Sequence, residues 1–539
     1  MNILHVISGN LDGGAARGAF WLHTALKELH INSKIITTST KIIEDTDIIY
    51  VSEDNYYRRR LEQIVLDKNY PNRTKQIFST GLFGFDITKL KEFEKADVIH
   101  LHWINDSFIK IEDIKKFKKP IVWTVRDLWP MTGGCHYPMD CKNFFDKCGA
   151  CPQISSNDQY DLSNKILQLK KDSFNSNIQI VGISNWVTNN AKKSSLFKNF
   201  NIKRIFNNVN SKTFLPLNKE ISKKELLLPL DKKIILVGAQ SLDDVYKGFS
   251  KFIKAISYLN RNDYFLCIFG EITTDLLIQI NMPHKLFGFV KNSVNLNKLY
   301  SASDVFVAPS ITEAFGKTIV ESMLSGTPAV CFNATGPKDI ISHKKDGYKA
   351  KPYSPKDLAN GIEWVINNTN YNNLCLKTRE NAKEKFDSIV ISAQYKKLYE
   401  RIINKKSSAK VIQKRLHTEK NQNNDKIKDL VFDALTTNNY NFSILINSFY
   451  LNIEKLNKKP NKKYIIYGNG TIKKIIEALL TNKIVGFIDI NDSKDHSKVL
   501  SNLIYDKIII SVMGREKEIQ NYLTKEIGIH KKKLYIFKI

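Results

Sequence analysis

Long apolar runs are missing from this 539-residue chain: none approaches the ~20 residues that span a bilayer, so any membrane association is expected to be peripheral. Cysteine is scarce, seven in all, which excludes a disulfide-built secreted scaffold. Met1 to Ser8 has no charged leader and its apolar run breaks at Gly9-Asn10, so it reads as a first strand and not as a signal peptide. A reduced, cytosolic setting is expected. Acidic residues are in deficit, 54 against 82 Lys and Arg, for a net charge of +28. That surplus favours anionic partners such as nucleic acid, phosphorylated ligands or an anionic membrane surface, without choosing among them. With 42% hydrophobic and 25% charged residues, neither a collagen-like nor a wholly disordered chain survives. The length suits two to four domains of roughly 150 residues each.

Short apolar runs at 3–7, 33–37, 98–102, 120–125 and 178–183 alternate with amphipathic stretches, the signature of β-α units around a buried parallel sheet. A second series runs through 233–238, 264–269, 285–289, 305–308 and 329–332. These predict two α/β domains, 1–208 and 209–385, with a hinge near 207–216 and a closing helix over 386–403 that completes the first. The chain then turns polar and Lys/Asn-rich over 404–462, a basic helical linker, before further strand-like runs predict a small α/β domain at 463–539.

The most informative stretch is Glu313-Ala-Phe-Gly-Lys-Thr-Ile-Val-Glu321, followed by Gly326-Thr-Pro328. A strand ends near Pro309, and Gly316 opens a helix whose free N–H groups and positive dipole end suit a diphosphate. Glu321, one turn in, can accept two hydrogen bonds from a ribose diol, while Glu313 faces the sugar. Gly13-Gly14 follows the first strand and precedes a helix, so backbone can approach a phosphate or sugar where a side chain would obstruct.

Together with Asp12 to Arg17, Ile183-Ser-Asn-Trp-Val187, Phe206 to Asn210, Lys247-Gly-Phe249 and the Ser301 to Pro309 stretch, these residues resemble the donor site of family 4 retaining glycosyltransferases. His100-Leu-His-Trp103, Thr124 to Pro130 and Gly133-Gly-Cys-His136 resemble the branch that builds bacterial capsule, colanic-acid and lipopolysaccharide glycans. The resemblance covers about 1–403. It implies an α/β GT-B fold, two Rossmann-like domains facing across a cleft, here with a third small α/β domain at the C-terminus.

The resemblance implies that Gly13, Gly14, Lys247, Glu313, Phe315, Gly316, Lys317 and Glu321 bind the donor, Lys247 neutralising its diphosphate as a point charge. An arginine common a few residues before that lysine is replaced by Gly238-Ala-Gln240. Asp12, Arg17, His100, Trp103 and Arg126 are expected on the acceptor side, with His102, Glu313 and Asp127 at the reacting centre. His100 and His102 are one residue apart at a strand end, so alternation is expected to point them to opposite faces with only one of them in the cleft; His102 is favoured, as the second histidine of the Asp-x-x-His-x-His pattern. Arg126-Asp127 stands where many relatives have histidine before the aspartate, a change suited to an anionic acceptor.

The implied chemistry moves a sugar from a nucleotide-diphosphate sugar to a hydroxyl with retention, relying on positioning and on stabilising the departing diphosphate. No catalytic metal is expected. The implied acceptor is a lipid-linked glycan at the inner face of the cytoplasmic membrane. Tyr56 to Leu61 and Leu82-Phe-Gly-Phe85 join aromatics to cations in a way that suits anionic lipid, although a solvated helix explains the first equally well. Cys135-x5-Cys141-x6-Cys148-x2-Cys151 can satisfy a tetrahedral structural zinc, with His136 as an alternate ligand; two disulfides or four free thiols are the other readings. Near the C-terminus, Tyr467-Gly-Asn-Gly-Thr-Ile-Lys473 begins like a dinucleotide fingerprint, with Asp489 where a ribose-binding acid would sit. The rival class is a noncatalytic polyanion- or membrane-binding adaptor on a degenerate scaffold, distinguished by salt-dependent binding without sugar-nucleotide specificity. No RNA or DNA module is recognisable, so no specific nucleic-acid partner is expected.

Overall fold

A computed structural model describes residues 1–51, 55–175, 177–413, 464–467, 484–488, 506–510, 516–527, 529–530 and 533–536. The chain divides into two compact units, Met1–Leu416 and His417–Ile539.

The first unit holds two parallel sheets. Strands β1 (Asn2–Ile7), β2 (Asn32–Thr37), β3 (Ile48–Tyr50), β4 (Val98–Leu101), β5 (Ile121–Val125), β6 (Ile178–Gly182) and β7 (Asn201–Arg204) run in the order β3-β2-β1-β4-β5-β6-β7. Strands β8 (Lys233–Ser241), β9 (Tyr264–Glu271), β10 (His284–Leu286), β11 (Val305–Ala308), β12 (Ala329–Phe332) and β13 (Gly347–Ala350) run β10-β9-β8-β11-β12-β13. The central strands β4, β5, β6, β11 and β12 are buried at every position, as continuous Val/Ile-rich runs covered on both faces must be. In each sheet the strand order reverses beside the first strand, at β1/β4 and β8/β11, which opens a crevice at the carboxyl ends where ligands bind in such folds.

The chain crosses between the domains twice, side by side: Val209 N–H donates to Phe386 C=O at 2.9 Å and Ser388 N–H to Val209 C=O at 3.0 Å. The helix Ser388–Gln413 then returns to the first domain. Its Ile391, Tyr395, Leu398 and Tyr399 pack with Ile3, Leu22 and Val122, all at most 2% exposed, and each such side chain contributes about 1.5–3 kcal/mol relative to exposure.

In the second unit, β14 (Tyr464–Tyr467), β15 (Ile484–Ile488), β16 (Lys507–Ile510) and β17 (Leu534–Ile536) form a parallel sheet in the order β15-β14-β16-β17, with a helix at Glu516–Lys525. The glycine-rich turn after Tyr467, Asp489 and most of the 404–462 linker lie outside the described residues. No described helix is long and apolar enough to cross a membrane.

Candidate functional site

Both switch points of the first unit open on one cleft cavity of about 510 Å³, lined from both domains. From the first come Gly13, Gly14, Trp103, Arg126, Asp127, His136 and Tyr137; from the second, Gln240, Tyr246, Lys247, Glu313, Phe315, Gly316 and Lys317. Tyr137 stacks on Tyr246 across the gap, ring centroids 5.0 Å apart.

On the second-domain side, the helix Lys317–Leu324 starts at Gly316, whose φ of +103° few side chains tolerate. Its first turn carries no acid, so its free N–H groups face the cavity without an internal anion. Lys247 Nζ pairs with Glu313 Oε2 at 2.6 Å, both about one-fifth exposed. Lys317 Nζ reaches across to donate to Gly14 C=O at 2.6 Å. Burial, then the neighbouring Arg17 guanidinium, pushes this ammonium down to about 7, although the side chain keeps some solvent contact. A Cβ on Gly14 would meet nothing within 4 Å, so a side chain there would project into open space.

Glu321 is 1% exposed and lies behind the cavity wall. Its Oε2 accepts from the Tyr300 hydroxyl at 3.2 Å and its Oε1 lies 3.6 Å from Arg17 Nη1. Oε1 has no hydrogen-bond donor of its own, an orphaned buried acceptor of the kind a ribose hydroxyl satisfies. Asp12 is drawn off to Lys41 at 2.6 Å, and neither Asp12 nor Arg17 lines the cavity.

The histidines correct the expectation drawn from the strand. Separated by one residue, His100 and His102 share a face, as positions i and i+2 of extended chain do, and their ring centroids are 4.0 Å apart. Both are at most 2% exposed and neither reaches the cleft. His102 Nε2 lies 2.9 Å from His5 Nδ1, while His102 Nδ1 accepts from Arg126 Nη2 at 3.2 Å. Since arginine only donates, His102 carries its proton on Nε2 and donates onward to His5. His100 is held by the hydroxyls of Thr124 (2.7 Å) and Tyr399 (2.7 Å). The three imidazoles thus support Arg126 from beneath, where it also donates to Asn207 Oδ1 at 2.8 Å. Arg126 is 7% exposed, has no carboxylate partner among the described residues, and is pushed down to about 10 by burial. It is a cation awaiting an anion.

Asp127 accepts from Trp103 Nε1 (2.8 Å), His136 Nδ1 (2.7 Å) and the Trp129 amide (2.9 Å). With its oxygens committed, it orients His136, whose Nε2 meets Ser79 Oγ at 2.9 Å. His136 is therefore a cleft residue and not an alternate ligand of the cysteine cluster. Sequence reasoning missed Tyr137 and Tyr246 as site residues because no local motif announces them, and it took His136 as an alternate metal ligand; only the fold brings the three together.

Residues 218–385 match the family model for glycosyl transferases group 1. Over 144 residues the chain is 35% identical to an uncharacterized glycosyltransferase of Methanocaldococcus jannaschii, covering 25% of this chain and 36% of that protein. Over 201 residues it is 28% identical to N,N'-diacetylbacillosaminyl-diphospho-undecaprenol alpha-1,3-N-acetylgalactosaminyltransferase of Campylobacter jejuni, covering 36% of this chain and 53% of that one. The chain thus spans about half or less of the length of these relatives. Among solved structures, sucrose-phosphate synthase from Thermosynechococcus elongatus is similar at a TM-score of 0.55 and 16% identity, over 75% of this chain and 100% of the other, a likeness of fold. Two parallel Rossmann-like sheets across a cleft are the GT-B fold, and its segment 218–385 is similar to the glycosyl transferases group 1.

Proposed function

We propose that this protein transfers a sugar from a nucleotide-diphosphate sugar to a hydroxyl of a lipid-linked glycan, with retention at the anomeric carbon, at the cytoplasmic face of a membrane. The observation that carries the reading is the convergence on one cavity of the Gly316 helix start with Lys247, Lys317 and Arg126. Bond breaking leaves negative charge on the departing diphosphate, and N–H groups and cations already aimed at that place need no reorganisation. The orphaned Glu321 Oε1 fits a ribose hydroxyl, and Glu313 holds Lys247 in place at 2.6 Å. On the opposite wall, Arg126, Trp103 and the Asp127-oriented His136 face the acceptor, where an uncompensated guanidinium suits an acceptor that carries phosphate.

The lipid-linked acceptor draws support from the Campylobacter relative, named for a diphospho-undecaprenol compound. Peripheral docking draws on the net charge of +28 and on the helix Asn55–Asn69, where Tyr56 is 70% exposed. Within that patch Arg58 is tied to the Ser107 carbonyl at 3.2 Å and Arg59 lies 3.9 Å from Asp106.

The test is release of nucleoside diphosphate from a panel of nucleotide sugars, with Glu321→Ala alongside. Donor-selective release that the variant loses supports the reading, and the anomeric configuration of the product decides retention. Absence of both release and donor binding overturns it in favour of a noncatalytic polyanion binder.

A further inference from the structure

Between β5 and the helix Leu162–Ser173 the chain makes a long irregular excursion that carries Cys135, Cys141, Cys148 and Cys151. All four are free thiols, and three of them are buried. They come from separate turns of the excursion, yet they line one small cavity of about 20 Å³, together with Phe78 and Phe144. That is room for a single small particle. A water there would find sulfur and aromatic carbon as its main company, poor partners for the two to four hydrogen bonds a buried water needs.

Donors are aimed at the sulfurs from outside. The Gly133 amide points at the Cys148 sulfur and the Gln153 and Ile154 amides at Cys151. Such amides serve as the outer shell that metal-bound sulfur typically has. Gly149, at φ +139°, lets the chain turn between Cys148 and Cys151, and a Cβ there would stand 2.1 Å from the Gln159 carbonyl oxygen. The buried Lys170 ammonium, held by the carbonyls of Trp129 (2.5 Å) and Thr132 (2.9 Å), lies close enough to Cys148 and Cys135 to feel their charge.

We propose that Cys135, Cys141, Cys148 and Cys151 bind one zinc ion as a tetrathiolate, and that this ion braces the cleft wall carrying His136 and Tyr137. Binding releases the four thiol protons to solvent and forms four Zn–S bonds of about 2.3 Å. The doubly negative centre that results is partly offset by Lys170. The bracing follows from the chain: Cys135 immediately precedes His136 and Tyr137, both of which line the cleft. A tighter group of donors exists, His5, His100 and His102, whose ring nitrogens lie within 4.8 Å of one another. Both His100 nitrogens are engaged by Thr124 and Tyr399 and His102 Nδ1 by Arg126, whose guanidinium repels a second cation, so the ion belongs with the cysteines.

The zinc claim stands apart from the proposed activity; the bracing claim rests on it. Full-length protein purified without chelator is expected to hold about one zinc per chain by elemental analysis, and titration with a mercurial should release that zinc in step with four thiols. Cobalt replacement should give the intense thiolate-to-metal absorption of tetrahedral sulfur ligation. Cys148→Ser and Cys151→Ser should lose the metal, and the titration of unaltered protein reads the same site if those variants fail to fold. Reduced protein that neither holds nor takes up zinc overturns the proposal, as does bound iron or a pair of disulfides after native alkylation. For the bracing, zinc removal should lower donor turnover about tenfold or more with the circular dichroism spectrum kept, and zinc should restore it. Full turnover without zinc overturns that part and leaves the metal site standing, whereas a zinc-loaded protein with no donor turnover or binding at all counts against the proposed activity alone.

Discussion

The second-domain side of the cleft sets a few charged side chains against the first domain. Glu321 has one oxygen served by Tyr300 and the other without a hydrogen-bond donor among the described residues. Glu321→Gln keeps the shape and halves the capacity to accept; donor KM is expected to rise about tenfold or more, and an unchanged KM would count against ribose contact. Lys317 carries a pH signature. Burial and Arg17 push its ammonium down to about 7 in the free protein, and an arriving diphosphate favours the charged form, so donor binding takes up a proton above that pH. Donor affinity should therefore fall as pH rises above about 7, and Lys317→Arg should remove that fall; titration of donor binding between pH 6 and 9 decides it. Arg126 has no carboxylate partner among the described residues, and Arg126→Ala would strand His102 and Asn207 as well as remove the cation.

Helices and strands set these side chains at fixed heights. The first helix, Gly14–Glu28, passes so close to Arg126 that a Cβ on Gly18 would lie 2.6 Å from Arg126 Nη1 and 2.9 Å from Asn207 Oδ1. Gly18→Ala should displace the guanidinium, costing about 1–3 kcal/mol of stability and lowering turnover, both read on one preparation by urea unfolding and donor release. Beneath β1 and β4, His5, His100 and His102 are held well below the usual imidazole range, chiefly by burial, then by neighbouring imidazoles and Arg126. The unfolded chain therefore binds more protons than the folded one below about pH 6.5, and stability should fall as pH drops through that range. The slope is up to about 1.4 kcal/mol per pH unit for each histidine, measurable by urea unfolding at pH 7 and 5. Most strands were legible because buried parallel strands read as unbroken apolar runs. The short β3, the polar β7 (Asn-Ile-Lys-Arg) and β13 at Gly347 were not, since edge strands need little apolar surface. The donor loop was legible for a different reason: its Gly and Glu residues sit within nine consecutive positions. The facing wall draws Trp103, Arg126, His136 and Tyr137 from distant segments, and no local period records that assembly. The histidine pair was misjudged because equal parity puts both on one side of the strand.

Polar contacts between the two large domains include Lys317 with Gly14, Arg17 with Glu321, and the Asn185 amides with Asp339 at 2.6 and 3.0 Å. The last is exposed and touches no cavity residue, so Asp339→Ala should raise donor KM a few-fold at unchanged melting temperature, the signature of a weakened closure. Val209 and Ser388 lie hydrogen-bonded to each other where the chain passes between domains. Two neighbouring strands joined in this way define a single line about which one lobe can swing, as a door hangs from one edge. Displacement on opening then grows with distance from that line. Spectroscopic labels on Tyr137 and Tyr246, which face each other across the cleft, should report opening that labels beside Val209 scarcely register.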